Sequence, residues 1–214
     1  MARLQPPDKT AMLALEPFVG LGLASIQQPR HAAELAQAWS ALTAQSHVGF
    51  DTEARPTFIK GQESSGPDVV QFATASQAFV FQLRHPAVVE LVSALLTHAP
   101  LTKVGFDLQQ DLTQLRRRLG IEVGPLLDLT QVFHRQGYVR TLGIKSAVAI
   151  VFGKRLAKSK RVTTSNWANE RLEERQVLYA ANDAYVALRV WQALGPQAHS
   201  LRPVQPQNKP PAPA

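Results

Sequence analysis

Leu178-Tyr179-Ala180-Ala181-Asn182-Asp183-Ala184 lies inside a run from Leu172 to Leu194 that reads as one long helix. Tyr179 and Asp183 are four residues apart, so a phenol and a carboxylate share one helix face about one turn, ~6 Å, apart along the axis. Ala180, Ala181 and Ala184 suit a helix packed closely on another element. Partners for the pair appear upstream, at Asp51 and Glu53 in His47-Val48-Gly49-Phe50-Asp51-Thr52-Glu53, and at Asp111 in Val104-Gly105-Phe106-Asp107-Leu108-Gln109-Gln110-Asp111.

Residues 47–53 have the pattern of a strand, in which Asp51 and Glu53, one residue apart, point to the same sheet face. Side by side they repel, and a divalent cation removes the conflict because Mg²⁺ and Mn²⁺ prefer carboxylate oxygens. Asp-x-Glu by itself also fits an exposed strand end with two solvated acids. Asp111 falls in the first turn of a helix, where the dipole favours a carboxylate without any further role, and Asp107 reads as that helix's N-cap.

Outward from these stretches the chain alternates. A helix is expected over about 31–42. Two β-rich runs, 68–74 and 77–83, are joined by Ala75-Ser76 as an antiparallel hairpin. Pro86 opens a helix through about His98, with Val88, Leu91, Val92, Leu95 and Leu96 on one face. A short buried strand over 102–106 follows, then a helix ending at Gly120, a strand near 126–129 and helical segments after Thr130. A meander followed by alternating strands and helices indicates an α/β fold with a mixed sheet covered on both faces. Residues 1–25 read as an irregular N-terminal arm, 26–195 as the folded domain, and the proline-rich 196–214 as a disordered tail.

The 214 residues carry no cysteine, which excludes disulfides, thiolate metal sites and a cysteine nucleophile. The longest apolar run near the middle, Ala147 to Phe152, is far short of the roughly 20 residues that cross a bilayer. The apolar stretch from Phe18 to Ile26 lacks a basic start, so the reading is mature sequence of a cytoplasmic protein. Net charge is +7, and between Arg135 and Arg161 stand eight Lys or Arg and no acid: Arg135, Arg140, Lys145, Lys154, Arg155, Lys158, Lys160 and Arg161. Such a surface attracts polyanions in a salt-dependent way, and it also fits a merely solvated basic face.

Taken together, Phe50-Asp51-Thr52-Glu53, Val104-Gly105 through Asp111, and Tyr179-x-x-x-Asp183 resemble the three motifs of the DEDD 3′–5′ exonucleases, over about residues 45–194. The tyrosine branch, represented by ribonuclease D and the Werner-syndrome exonuclease domain, is the similar one, because Leu178 stands where the histidine branch carries its His. Lys160, Ser165-Asn166-Trp167, Arg171-Leu172, Gln176 and Tyr179-Ala180-Ala181 are similar to the ribonuclease D pattern that accompanies those motifs. Ala54-Arg55-Pro56 departs from it, since many relatives have an aromatic after the Asp-x-Glu.

The resemblance implies a ribonuclease H-like fold with a central five-stranded mixed sheet, and hydrolysis of 3′-terminal phosphodiesters of single-stranded or 3′-overhang RNA or DNA. It implies two divalent cations, Mg²⁺ or Mn²⁺: one held by Asp51, Glu53 and Asp183, the second by Asp51 and Asp111, with Tyr179 orienting the attacking water. Arg155, Lys158, Lys160, Arg161 and Phe106 are the candidate nucleic-acid contacts, Lys160 also for support of the transition state. Trp167 reads as a packing anchor, Asp128 as a strand-end acid and His134 as an ordinary helix residue. No membrane and no obligate protein partner is inferred. The competing readings are a catalytically silent nucleic-acid-binding module of the same fold and a ribonuclease H-type endonuclease, which leaves Tyr179 unexplained.

Overall fold

The computed structural model describes residues 3–56, 66–139 and 142–195. The expected 196–214 tail, most of the loop after Glu53, and Arg140 fall outside them. Six strands form one sheet: β1 Ile26–Gln27, β2 His47–Glu53, β3 Val69–Ala73, β4 Ala78–Gln82, β5 Thr102–Gly105 and β6 Leu126–Asp128, in the order β1-β4-β3-β2-β5-β6. β2, β3 and β4 are the antiparallel meander, β5 and β6 add parallel to β2, and β1 adds parallel to β4. The sixth strand, one more than the resemblance implied, is two residues long and carries no period of its own. Its pairing with Ala78 and Phe79 is a tertiary event.

The helices are α1 Lys9–Ala14, α2 Ala32–Thr43, α3 Pro86–Thr97, α4 Gln109–Leu119, α5 Leu129–Arg135, α6 Ile144–Phe152, α7 Lys160–Thr163 and α8 Glu174–Leu194. Local chemistry sets their ends. Glu34 accepts from the backbone N–H groups of Arg30 and His31 at 2.8 and 3.1 Å to cap α2. Gly120 ends α4 at φ +66°. Thr74 Oγ1 accepts from the N–H groups of Ser76 and Gln77, fixing the expected hairpin turn. α1 gives the arm a short helix where only irregular chain was expected. Asp107 is not the N-cap of α4: Leu108 holds that position, and Asp107 sits at φ +52° with its N–H bonded to Asp128 and Thr130.

Helices cover both faces of the sheet, giving two apolar layers. Phe50, Val70, Phe72, Phe79 and Phe81 pack towards α2 and α3, with Leu42, Val88, Val92 and Leu95. On the other face Val69, Ala73, Val80 and Val104 meet Ala180, Ala181, Ala184 and Val186 of α8. α8 approaches β2 so closely that a Cβ on Gly49 would stand 1.8 Å from the Ala184 carbonyl oxygen. Glycine on the strand and alanines on the helix are therefore what allow the residue beside them, Asp183, to reach the end of β2.

Candidate active site

Strand alternation puts Asp51 and Glu53 on the face that α8 covers, and α8 lowers Asp183 onto them. Their carboxylate oxygens lie within 4.8 Å of one another, and Asp183 is only 3% exposed. Burial, reinforced by Asp183 and Asp111, raises the pKa of Asp51 well above the carboxylate range. Burial and the charges of Asp51 and Asp183 push Glu53 up to about 10. Burial also raises Asp183, against the opposing pull of Lys158. Three acids crowded out of water are unstable as anions unless a cation joins them.

Lys158 supplies one positive charge. It comes from the segment between α6 and α7, its Nζ 2.5 Å from Asp183 Oδ2 and 4.8 Å from the centre of the Tyr179 ring. Burial would lower its pKa, but Asp183, Tyr179 and Asp51 together raise it, so the group stays an ammonium. Tyr179 stands one turn before Asp183. Its hydroxyl accepts from Thr163 Oγ1 at 2.9 Å, and burial pushes its pKa up to about 12.

Asp111 is turned away from the group of three. It lies on α4, across the sheet, where the side chain of Thr52 points, and the Thr52 hydroxyl donates to it. Its charge still acts on Asp51 and Glu53, and burial pushes its own pKa up to about 6.

The Ser165-Asn166-Trp167 stretch ties the segment bearing these cations to α8. Gln176 Nε2 donates to Ser165 Oγ at 2.9 Å and to the Asn166 carbonyl at 3.2 Å, and Trp167 is fully buried, 6.0 Å from the Tyr179 ring. Trp167 is thus the packing anchor expected of it, and Asp128 caps α5 by accepting from Thr130 N–H. Lys160 and Arg161 are exposed on α7. Arg155 lies against the arm, its backbone bonded to Glu16 and Phe18. Phe106 is half-buried and stacked on Phe133 at 6.4 Å, so much of its ring serves the core.

Three residues of the site were not singled out from the sequence. Thr52 holds Asp111. Gln71, the one polar residue of β3, pairs in register with Asp51, and both of its buried amide atoms lack a hydrogen-bond partner among the described residues. It offers a donor and an acceptor beside Asp51 and was detectable as a polar break in Val69-Val70-Gln71-Phe72-Ala73. Asn182 clasps the arm, accepting from Leu21 N–H at 2.7 Å and donating to the Leu21 carbonyl at 3.1 Å.

A family model described as 3′-5′ exonuclease matches residues 26–199. The mouse (Mus musculus) bifunctional 3′-5′ exonuclease/ATP-dependent helicase WRN is 31% identical over 150 residues, covering 69% of this chain and 11% of that protein. The chain therefore spans about a tenth of that relative's length. Among solved structures, the Aedes aegypti Nibbler EXO domain superposes with a TM-score of 0.69 at 20% identity, over 84% of this chain and 91% of that one. Escherichia coli RNase D, an exoribonuclease involved in structured RNA processing, gives 0.68 at 22% identity, over 81% and 45%. At these identities the two structures speak to the fold, a ribonuclease H-like α/β domain. No helix of the described residues is long and apolar enough to cross a membrane.

Proposed function

The chain belongs to the 3′-5′ exonuclease family, and from that premise we propose that it hydrolyses 3′-terminal phosphodiester bonds of single-stranded or 3′-overhang RNA or DNA, releasing nucleoside monophosphates. One observation carries the reading: Asp51, Glu53 and Asp183 are held within 4.8 Å against the cost of burial. An all-oxygen set of this kind fits Mg²⁺ or Mn²⁺. Asp51, Glu53 and Asp183 would hold one cation; Asp51 and Asp111, once released by Thr52, would hold a second. Bound there, divalent cations lower the pKa of a water and neutralise charge on the leaving oxygen.

The chain's own groups do the rest. Water adds to the terminal phosphorus, the bond to the 3′ oxygen of the preceding nucleotide breaks, and that oxygen leaves with a proton. Tyr179 remains protonated at neutral pH, so its hydroxyl orients the water by hydrogen bonding and does not serve as a strong base. Lys158 acts as a stand-in counter-ion for Asp183; displaced, its ammonium is within reach of the phosphate. Lys160 and Arg161 extend positive charge along the exposed α7, and Arg155 along the segment that precedes it.

Degradation of 5′-labelled single-stranded RNA and DNA oligomers with Mg²⁺ or Mn²⁺ tests the reading. A ladder shortening from the 3′ end is expected, abolished by Asp51→Ala and slowed about 10²-fold by Tyr179→Phe, the scale of losing one positioned hydrogen-bonding group. Intact binding without any metal-dependent shortening would replace it with the silent-module reading.

A further inference from the structure

The arm that precedes the family match is fastened to the domain beside the candidate site. Glu16 pairs with Lys154, the N–H of Phe18 bonds to the Arg155 carbonyl at 2.9 Å, and the Phe18 ring lies 5.2 Å from that of Phe152. Asn182, next to Asp183, holds Leu21 through both atoms of its amide. Between the arm and residues 156–159 run two adjoining clefts. One, of about 350 Å³, is lined by Phe18, Leu21, Leu178, Tyr179 and Asp183, so it opens onto the carboxylates. The other, of about 460 Å³, is lined by Lys9, Met12, Leu13, Lys145, Arg155 and Leu156. Leu156, Ala157, Lys158 and Ser159 border both, so one segment separates the outer cleft from the one at the carboxylates.

The chemistry of the outer cleft is specific. Cations come from three separate elements, no carboxylate lines it, and its floor is apolar. Lys145 lies near enough to Asp183 for its charge to be felt there. The large apolar side chains left exposed among the described residues, Leu4, Leu13, Val19 and Leu23, all belong to the arm. Cations flanking an apolar surface match a single strand, which presents phosphates on one side and base faces on the other.

We propose that the arm and residues 154–159 form a nucleic-acid subsite for the nucleotides immediately 5′ of the scissile bond, with phosphates on Lys9, Lys145 and Arg155 and a base on Leu13, Met12 and Leu156. The arm is then part of the substrate track. The exonuclease reading enters only in giving the strand its direction.

The test uses the full chain in EDTA, so that nothing is hydrolysed, and a fluorescent single-stranded 12-mer followed by anisotropy across a salt series. Lys9 and Lys145 are exposed, so Lys9→Ala with Lys145→Ala leaves the core untouched. Each lysine that neutralises a phosphate contributes about 0.7 to the slope of log K against log salt, so the double variant should be shallower by about 1.4. In a second arm, Leu13→Cys introduces a sole thiol, because the chain has no cysteine. By thiol–disulfide exchange it should couple to oligomers carrying an activated disulfide near the 3′ end, expelling the activating thiol, much faster than to those carrying it at the 5′ end. An unchanged slope, or equal coupling to both ends, overturns the proposal. A shallower slope with 3′-selective coupling upholds the subsite even where no shortening is seen with Mg²⁺; shortening with an unchanged slope removes the subsite and leaves the exonuclease.

Discussion

Lys158, half-buried, and Lys103, buried, are two ammonium groups on opposite faces of one sheet, and their surroundings drive them in opposite directions. Lys158 faces Asp183, with Asp51 and Tyr179 near by, and its pKa rises although burial opposes it. Lys103, in β5, is completely buried; its Nζ donates to the Leu101 carbonyl at 2.8 Å, and burial lowers its pKa to about 8. Burial penalises both charges. Under α8 the penalty is offset because the fold gathers charges of opposite sign, leaving a place where cations are wanted. Beneath Lys103 a single carbonyl dipole does not offset it, and the cost stays as lost stability.

The largest expected effect removes the uncompensated charge. The folded-state pKa of Lys103 lies near 8 and the ordinary value is 10.5. The folded chain thus holds that proton less tightly than the unfolded chain, and stability rises with pH between those values. Below pH 8 the penalty is about 3.5 kcal/mol, from ~1.4 kcal/mol per pKa unit. Lys103→Met should recover most of it in urea unfolding at pH 7, the gain shrinking to nothing above about pH 10.5. A gain independent of pH would mean that packing, and not charge, separates the two lysines.

A smaller effect sharpens the other half of the comparison. If Lys158 is a stand-in for a metal ion, Lys158→Ala should tighten Mn²⁺ binding about tenfold, or ~1.4 kcal/mol, in calorimetry of the chain without substrate. Weaker Mn²⁺ binding would show that Lys158 supports the carboxylates instead of competing for them. The smallest effect concerns the acids themselves. In EDTA, Asp51→Asn should raise the thermal midpoint by roughly 3 °C, equivalent to about 1 kcal/mol in a domain of this size, because the amide needs no proton to sit where burial and the neighbouring acids disfavour a carboxylate. With saturating Mg²⁺ the order should reverse, since the parent alone keeps its full ligand set.

Much of this was legible without coordinates. The period-two pattern of residues 47–53 put Asp51 and Glu53 on one face, and the four-residue spacing put Tyr179 and Asp183 on another. The hairpin at Ala75-Ser76, the Pro86 and Gly120 helix ends and the buried Trp167 followed from local chemistry. Asp107 did not: a residue read as a cap entered the left-handed region because Asp128 and Thr130, more than 20 residues on, hold its N–H. The two-residue β1 and the helix in the arm were too short to leave a pattern.

The sequence by itself determined which side chains share a face of a strand or helix, because the backbone repeats of 2 and 3.6 residues are local. Only the tertiary structure decided that Lys158 meets Asp183, that Asp111 turns to Thr52, that Gln71 lies beside Asp51 with no hydrogen-bond partner among the described residues, and that the arm walls the site through Asn182. Those pairings join residues between 20 and 161 positions apart. Their energies depend on burial and on the sign of neighbouring charges, which exist only once the two faces of the sheet have been covered.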